Sequence, residues 1–349
     1  MSAWGRLGRL TVWSVGGALA AAVAAGLAWS SYDPLAPDFD AMLAGTCTAG
    51  RLPGSPWSGI LVALLLGAAV GGLAVSRPRA RLSAFFAAGC GPLVYGAVEG
   101  WMSWCAVLLQ VLALFAFAQE QRRTSWILGV IAAWVWPPSL LILVALAVGE
   151  VDRARHRGAG WTGGLITALA PATFALAAAL PAWLMRRDTF LPVQSERGLS
   201  GVAQLVAEWT RAWPQELSAR AVFTSGVGEV LALLQLLGLG LLMGVGLVRV
   251  LQRARHHEGY AAIRLALGLG LWTLLLGGWM GLGRGSWGST QGLLHVSAVL
   301  LLIEGSVEWV AMPRWRPLAS GVIAWVGVGW SLGLYHVARQ WVATSPFLH

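Results

Sequence analysis

The chain has 349 residues, of which 57% are hydrophobic and only 11% are charged, and its formal net charge is +9. Soluble domains carry roughly 25% charged residues, so this composition excludes a water-soluble globular protein and predicts a polypeptide embedded in lipid. The positive charge does not indicate a nucleic-acid partner, because the arginines cluster at the ends of apolar segments, where they set membrane topology. Lysine and asparagine are both absent from the sequence, which is typical of a GC-rich bacterial source.

Apolar segments bounded by arginine or turn residues occur throughout the chain. There are eleven of them, at 10–29, 57–76, 83–98, 102–118, 126–136, 138–149, 161–184, 229–248, 261–279, 291–311 and 318–338. The first follows Arg6 and Arg9 as in a signal peptide, but about 20 apolar residues can span a hydrocarbon core of ~30 Å, which favours an uncleaved transmembrane helix. We therefore expect an all-α polytopic membrane protein, with one transmembrane domain over residues 1–349 and no separate soluble domain.

The fifth and sixth segments are too short to cross the bilayer alone, and Pro137-Pro138 separates them. Proline has no backbone N–H and breaks a helix, so residues 126–149 are predicted to form a helical hairpin rather than one span. A straight span would place either Arg122 or the basic cluster at 153–157 on the outer side, against the positive-inside rule. With the hairpin and a cytoplasmic N-terminus, 16 of the 24 arginines lie on the cytoplasmic side and the C-terminus lies outside.

Two long segments, 30–56 and 185–228, lie on the outer side in this topology. The first contains Asp38 and Asp40, whose i, i+2 spacing would make the carboxylates diverge on a helix and lets them share one ligand only in a loop. On the residues alone, a solvated loop with an aspartate at a helix N-cap is the simpler explanation. The second contains apolar residues at helical spacing around Leu199–Trp213, which predicts an amphipathic helix on the membrane surface.

Three stretches of the sequence resemble the GT-C glycosyltransferases, polytopic enzymes that transfer sugars from polyprenyl-phosphate donors on the outer face of the membrane. The first, SYDPLAPDFDAMLAGTCTAGRLPGSPWSG, places acids just after the first span and leads into the second. CGPLVYGAVEGWMSWCAVLLQVLALFAFAQEQRR is similar to the family's third and fourth spans, and WILGVIAAWVWPPSLLILVALAVGEVDRARHR is similar to its paired short helices. The resemblance covers residues 10–184, a GT-C-like core that includes the outer loop 30–56. The amphipathic outer loop 185–228 and the C-terminal helices 229–349 follow this core.

The resemblance implies a glycosyltransferase in the bacterial inner membrane, with its site on the outer face. Asp38, or Asp40 as the second choice, would take the proton of the acceptor hydroxyl, and Glu99 on the next outer turn would supply another carboxylate. Asp38 and Glu99 would also hold a divalent cation, Mg²⁺ or Mn²⁺, that neutralises the leaving phosphate. Arginines of the second outer loop would bind the phosphate of the polyprenyl donor, unless they form surface ion pairs with the acids of their own loop. These arginines are Arg186, Arg187, Arg197, Arg211 and Arg220.

Ionisable residues within the tenth segment favour a different class of function. Glu304 and Glu308 are one helical turn apart on the same face, whereas His295 lies about 180° away around the helix. Glu308 is expected to pair with Arg314 or Arg316 near the cytoplasmic end. Because intramembrane ionisable groups are commonly functional, Glu304 would couple ion movement in a transporter or flippase of lipid-linked intermediates. A catalytically silent membrane subunit with the same fold is the third alternative.

Overall fold

The computed structural model of the chain describes residues 3–30, 56–74, 76–90, 101–190, 198–207, 226–254, 260–280 and 284–344. Within these ranges the backbone forms helices and turns and no strand, which confirms the prediction of an all-α protein. The described α-helices, numbered in chain order, are α1 Ala3–Ser30, α2 Pro56–Leu73, α3 Arg77–Ala88, α4 Trp101–Ala118, α5 Arg122–Val135, α6 Leu141–His156, α7 Gly160–Phe190, α8 199–207, α9 Gly226–Ala254, α10 Ala261–Met280, α11 Arg284–Val310 and α12 Arg316–Thr344.

Several of these helices are suited to a bilayer. Among the described residues, four helices are long and apolar enough to cross a membrane, namely Gly160–Met185 in α7, Gly226–Ala254 in α9, Ala261–Trp279 in α10 and Gly292–Val310 in α11. Shorter apolar stretches, Leu61–Leu73 and Trp104–Ala118, lie in α2 and α4. The helices therefore indicate a membrane protein, in agreement with the composition.

The third helix differs from the apolar segment predicted at 83–98. Helix α3 begins at Arg77, with Pro78 in its first turn, and ends at Ala88. Proline suits the first turn because the N–H that it lacks would be unpaired there. The arginine-rich stretch between the second and third apolar segments is therefore helical, and Arg79 is buried in the bundle.

Helix α11 lies at the centre of the bundle. In its apolar span 78% of the residues are buried, compared with 22% for the span in α7 and 28% for the span in α9. It packs against α3, α4, α9, α10 and α12. Because protein surrounds α11 on most sides, a charged side chain on this helix needs a partner from a neighbouring helix.

The hairpin predicted at the Pro-Pro break is confirmed. The chain reverses in a 3₁₀ turn at Pro137–Leu140, and α5 and α6 pack against each other. At the other end of the hairpin Arg122 donates two hydrogen bonds to the carboxylate of Glu150, from Nε to Oε1 at 2.9 Å and from Nη2 to Oε2 at 2.6 Å. At the turn, buried Gln110 of α4 donates a hydrogen bond from Nε2 to Ser139 Oγ at 2.7 Å. Polar contacts therefore fix the hairpin at both ends.

The predicted amphipathic helix is described over residues 199–207, where it forms α8, and the remainder of Leu199–Trp213 lies outside the described ranges. One side of α8 packs on protein, where Leu205 is buried together with Leu274 of α10 and Leu294 of α11, whereas Leu199 is 79% exposed. Residues 199–207 are thus helical, as the apolar spacing predicts, and the position of this helix on the membrane surface stays a prediction.

Candidate functional site

A buried charge network lies where α11 meets α3, α9 and the start of α10. Its members are Arg79, Arg249, Arg253, Tyr260, Glu304 and Glu308. The side chains of Glu304 and Glu308 are only 2% and 9% exposed, so both carboxylates are shielded from water. Their predicted common face is confirmed, because a single guanidinium, that of Arg79, contacts both of them.

Arg79 of α3 is the central cation of the network. Its Nη1 donates a hydrogen bond to the Tyr260 hydroxyl at 2.7 Å and lies 3.1 Å from Glu304 Oε2. Its Nη2 donates to Glu308 Oε1 at 2.9 Å. Buried Nε of Arg79 has no hydrogen-bond partner among the described residues. The planar guanidinium thus bridges two carboxylates one helical turn apart, a geometry that a lysine ammonium could not reproduce.

Two arginines of α9 reach Glu308 from another direction. Arg253 forms an ion pair with Glu308 Oε1 and donates a hydrogen bond from Nη1 to the Tyr260 hydroxyl at 2.9 Å. Arg249 Nε lies 3.9 Å from Glu308 Oε2. The Tyr260 hydroxyl in turn lies 3.5 Å from Glu304 Oε2, to which it donates. Because the side chains of Arg249 and Arg253 are each 35% exposed, they connect the buried carboxylates to the surface.

Helix α9 can approach α11 this closely because glycines face each other at the crossing. A Cβ atom added to Gly246 would lie 2.1 Å from the carbonyl oxygen of Leu301, and one added to Gly305 would lie 1.9 Å from that of Leu242. Small residues of this kind let two helix backbones touch within a membrane protein. Gly305 directly follows Glu304, so the backbone contact places α9 beside the acids of the network.

The network contains three cations and two anions, which leaves a formal excess of one positive charge. Taking an ion out of water costs several kcal/mol, and attraction between opposite charges offsets this only when the geometry is good and other hydrogen bonds complete it. Here the hydroxyl of Tyr260 supplies such hydrogen bonds. The arrangement can hold α3, α9 and α11 in one packing, and it can couple a change of charge on Glu304 to that packing.

The prediction that Glu308 pairs with Arg314 or Arg316 is wrong. Its partners in the described structure are the three arginines of the network, which we had assigned only to topology. Arg314 instead lies over the ring of Trp315, 5.7 Å from its centroid. The signal that identifies the true partners is indirect. Two acids on one face of an apolar, buried helix require cations from a different helix.

A second group of ion pairs lies at the open end of the α5–α6 hairpin. Arg153 Nη1 lies 4.0 Å from Glu150 Oε1, and Arg157 Nη2 lies 2.6 Å from Glu120 Oε1. Arg264 at the start of α10 pairs with Asp152 of α6. These pairs and the buried charge network join helix ends that the arginine count assigns to the cytoplasmic side.

The side chains predicted to carry sugar transfer are not among those described. Asp38, Asp40, Glu99, Arg197, Arg211 and Arg220 fall outside the described ranges, and Arg186 and Arg187 lie at the end of α7, where the backbone is described and the side chains are not. Their convergence on one outer cavity, and the binding of Mg²⁺ or Mn²⁺ by Asp38 and Glu99, stay predictions. In the described part of the chain no group of three His, Cys, Asp or Glu side chains could hold a metal ion. Comparisons with protein-family models, curated proteins and solved structures return no match for this chain.

Proposed function

We propose that the chain is a membrane glycosyltransferase of GT-C-like architecture, which transfers a sugar from a polyprenyl-phosphate donor to an acceptor on the outer face of the bacterial inner membrane. The paired short helices support this proposal. The resemblance implies a hairpin at 126–149, and α5 and α6 form one there. In the N-in, C-out topology the turn at Pro137–Leu140 lies on the outer side, where the transfer takes place.

The proposed roles follow from charge. Asp38 accepts the proton of the acceptor hydroxyl as the glycosidic bond forms and the polyprenyl phosphate leaves. Asp40 is the second choice for this base, and Glu99 supplies another carboxylate from the next outer turn. Asp38 and Glu99 are the proposed ligands of a divalent cation. The leaving phosphate binds to guanidinium groups of the second outer loop, which match its geometry with two parallel hydrogen bonds. These groups belong to Arg186, Arg187, Arg197, Arg211 and Arg220.

Complementation of a deletion strain tests the proposed base. Mass spectrometry of extracted lipids should show that the polyprenyl-phosphate sugar accumulates in the deletion strain and is consumed again when the wild-type gene is restored. Asp38→Asn should not restore consumption, because loss of a general base slows a reaction by about 10²–10⁴-fold. Asp33→Asn in the same loop is the matched control and should restore it. If Asp38→Asn and Asp40→Asn both restore consumption, neither residue is the base.

The second candidate is a transporter or flippase of lipid-linked intermediates, and the buried charge network is the observation that favours it. Glu304 is 2% exposed and contacts the guanidinium of Arg79 and the hydroxyl of Tyr260. A proton that neutralised Glu304 would weaken its attraction to Arg79, and the packing of α3 against α11 would change with it. In this candidate Glu304 is the coupling group.

Two substitutions with opposite effects separate the candidates. Glu304→Gln should leave sugar transfer in place if the chain is an enzyme, and it should abolish lipid translocation if the chain is a transporter. Asp38→Asn should do the reverse. Translocation is measured in vesicles that contain the full chain, as protection of a fluorescent polyprenyl phosphate from an external quencher. Thermal unfolding of each variant distinguishes a lost activity from a lost fold. A catalytically silent subunit would show neither activity in the wild-type protein.

A further inference from the structure

A cleft of about 660 Å³ opens between α6, α7 and α10. This volume lies within the range of about 300–1,000 Å³ that is usual for small-molecule sites. Its walls are aliphatic and aromatic apart from three charged side chains, those of Asp152, Arg155 and Arg264. The cleft is separate from the buried charge network, since none of the network residues lines it.

The apolar wall of the cleft is open to the surroundings of the bundle. Val148 of α6 and Leu165 of α7 are each 55% exposed, Leu169 of α7 is 65% exposed, and Trp272 of α10 is 59% exposed. All four belong to apolar stretches of their helices. Large apolar side chains exposed in a row on a membrane protein indicate contact with lipid hydrocarbon.

The cleft has the length of a lipid chain. On α6 the lining runs from Leu141 to Arg155, a distance of about 21 Å at 1.5 Å per residue. On α10 it runs from Arg264 to Leu276, or about 18 Å. One leaflet of the hydrocarbon core is about 15 Å deep, half of ~30 Å. A single acyl chain lying along the helices would therefore fit between the two ends of the cleft.

All the charged residues of the cleft lie at one end of it. Arg155 and Asp152 are near the end of α6, Arg264 is near the start of α10, and Trp161 is near the start of α7. Asp152 is paired with Arg264. Arg155 forms no ion pair with a described carboxylate, and its guanidinium lies over the Trp161 ring, 3.8 Å from the centroid. A guanidinium stacked in this way keeps its N–H edge available to an oxyanion.

We propose that this cleft binds an anionic phospholipid of the bilayer, with an acyl chain along the apolar wall and the phosphate at Arg155. Tryptophan is enriched at the depth of lipid headgroups, which is where Trp161 would place the charged end. Basic pockets between membrane helices are known to accept phosphate-bearing headgroups. The site does not rest on the proposed sugar transfer, because in the predicted topology its charged end lies at the membrane surface opposite to the transfer site.

Substitution of the arginine tests the headgroup contact. Native mass spectrometry of the full chain in detergent measures the binding of dioleoyl phosphatidylglycerol and, for comparison, of zwitterionic dioleoyl phosphatidylcholine. Arg155→Gln should weaken phosphatidylglycerol binding about tenfold and should weaken phosphatidylcholine binding less, because the choline ammonium of that lipid partly neutralises its phosphate. Arg314→Gln is the matched control, since Arg314 also lies over a tryptophan ring but is not part of the cleft. If Arg155→Gln and Arg314→Gln weaken phosphatidylglycerol binding equally, the affinity comes from general surface charge and the proposal is overturned.

Filling the cleft tests the apolar contact. Gly268 lines the cleft, and a Cβ atom added there meets no atom within 4 Å. The ring of Gly268→Phe therefore enters the cleft and occupies space that the acyl chain would need. Gly244→Phe on α9 is the matched control, because a Cβ atom there also meets nothing within 4 Å. Gly268→Phe should weaken binding of both lipids, and Gly244→Phe should weaken neither. Unchanged lipid binding in Gly268→Phe, or a dimer of the chain that only this variant dissociates, would overturn the proposal.

Discussion

Replacement of Gly305 by alanine tests whether the backbones of α9 and α11 touch. The added Cβ atom would lie 1.9 Å from the carbonyl oxygen of Leu242 and 3.0 Å from the backbone nitrogen of Gly246. Ordinary van der Waals contact begins near 3.4 Å, so the helices would have to separate by about 1.5 Å, the difference between 3.4 and 1.9 Å. Both atoms belong to backbone, and a change of side-chain rotamer cannot relieve the overlap.

The expected change in stability combines two losses and one gain. Overpacking of a closely packed interface costs about 1–3 kcal/mol. Separation of the helices also weakens the ion pair between Arg253 and Glu308, and a buried charged group that loses a partner costs about 1–3 kcal/mol. Alanine favours helix over glycine by about 1 kcal/mol, which offsets part of the loss. The expected net effect of Gly305→Ala is a destabilisation of roughly 1–5 kcal/mol.

Thermal unfolding in detergent, followed by the fluorescence of the 21 tryptophans, measures this effect. Gly244→Ala is the matched control on α9, because its Cβ atom meets nothing within 4 Å, and it should be neutral or stabilising by up to about 1 kcal/mol. Gly246→Ala should resemble Gly305→Ala, and the double variant should lose less than the sum, since both substitutions open the same gap. If Gly305→Ala unfolds at the same temperature as Gly244→Ala, the backbones do not touch and the reasoning is refuted.

Three other contacts can be tested by single substitutions, with thermal unfolding or hydrogen exchange as the measurement. Arg79→Gln should destabilise the protein by about 3–5 kcal/mol, because two buried carboxylates lose their shared cation. Arg81 is exposed on the same helix, so the control Arg81→Gln should change stability by less than about 1 kcal/mol. An equal effect of these two substitutions would contradict the burial of the network. Gln110→Leu and Ser139→Ala should each destabilise the protein by about 1–3 kcal/mol, because each leaves a buried polar group unpaired. A double-mutant cycle should show that the two effects are not additive. Arg122→Gln should speed amide exchange in α5 and α6 more than elsewhere, since it releases the end of the hairpin opposite to the turn. An equal increase of the exchange rate in all helices would contradict that role of Arg122.

The helices and the hairpin could be predicted because their signals are local. A run of apolar residues of sufficient length predicts a membrane helix wherever it occurs, and Pro137-Pro138 breaks the helix whatever its neighbours are. The error at α3 has a local cause as well. Its first turn contains Arg77, Pro78 and Arg79, residues that are typical of a polar loop. In the structure Pro78 lies in the first turn of the helix and the side chain of Arg79 is buried.

The buried charge network could not be predicted because its members are distant in sequence. Arg79 and Glu308 are separated by 229 residues, and their pairing depends on which helices lie beside α11. A soluble helix shows its packing face as an apolar stripe, but a helix in lipid is apolar on its outer face as well, so the stripe disappears. The chain's 45 glycines pose the same difficulty, since nothing in the sequence shows that Gly246 and Gly305 are the pair that touches.

The glycine contact and the charge network depend on each other. Arg253 reaches Glu308 because the backbones meet at Gly246 and Gly305, and in lipid no hydrophobic force drives two helices together. The ion pairs therefore supply attraction between α9 and α11, and the glycines set the short distance at which that attraction is strong. An enzyme needs this interface only to stay closed. A transporter would also have to move α11 against α3, which parts Arg79 from Glu304 in a largely dry environment and is prohibitive unless the acid is neutralised first. The charge state of Glu304 is thus the property that separates the two proposed functions.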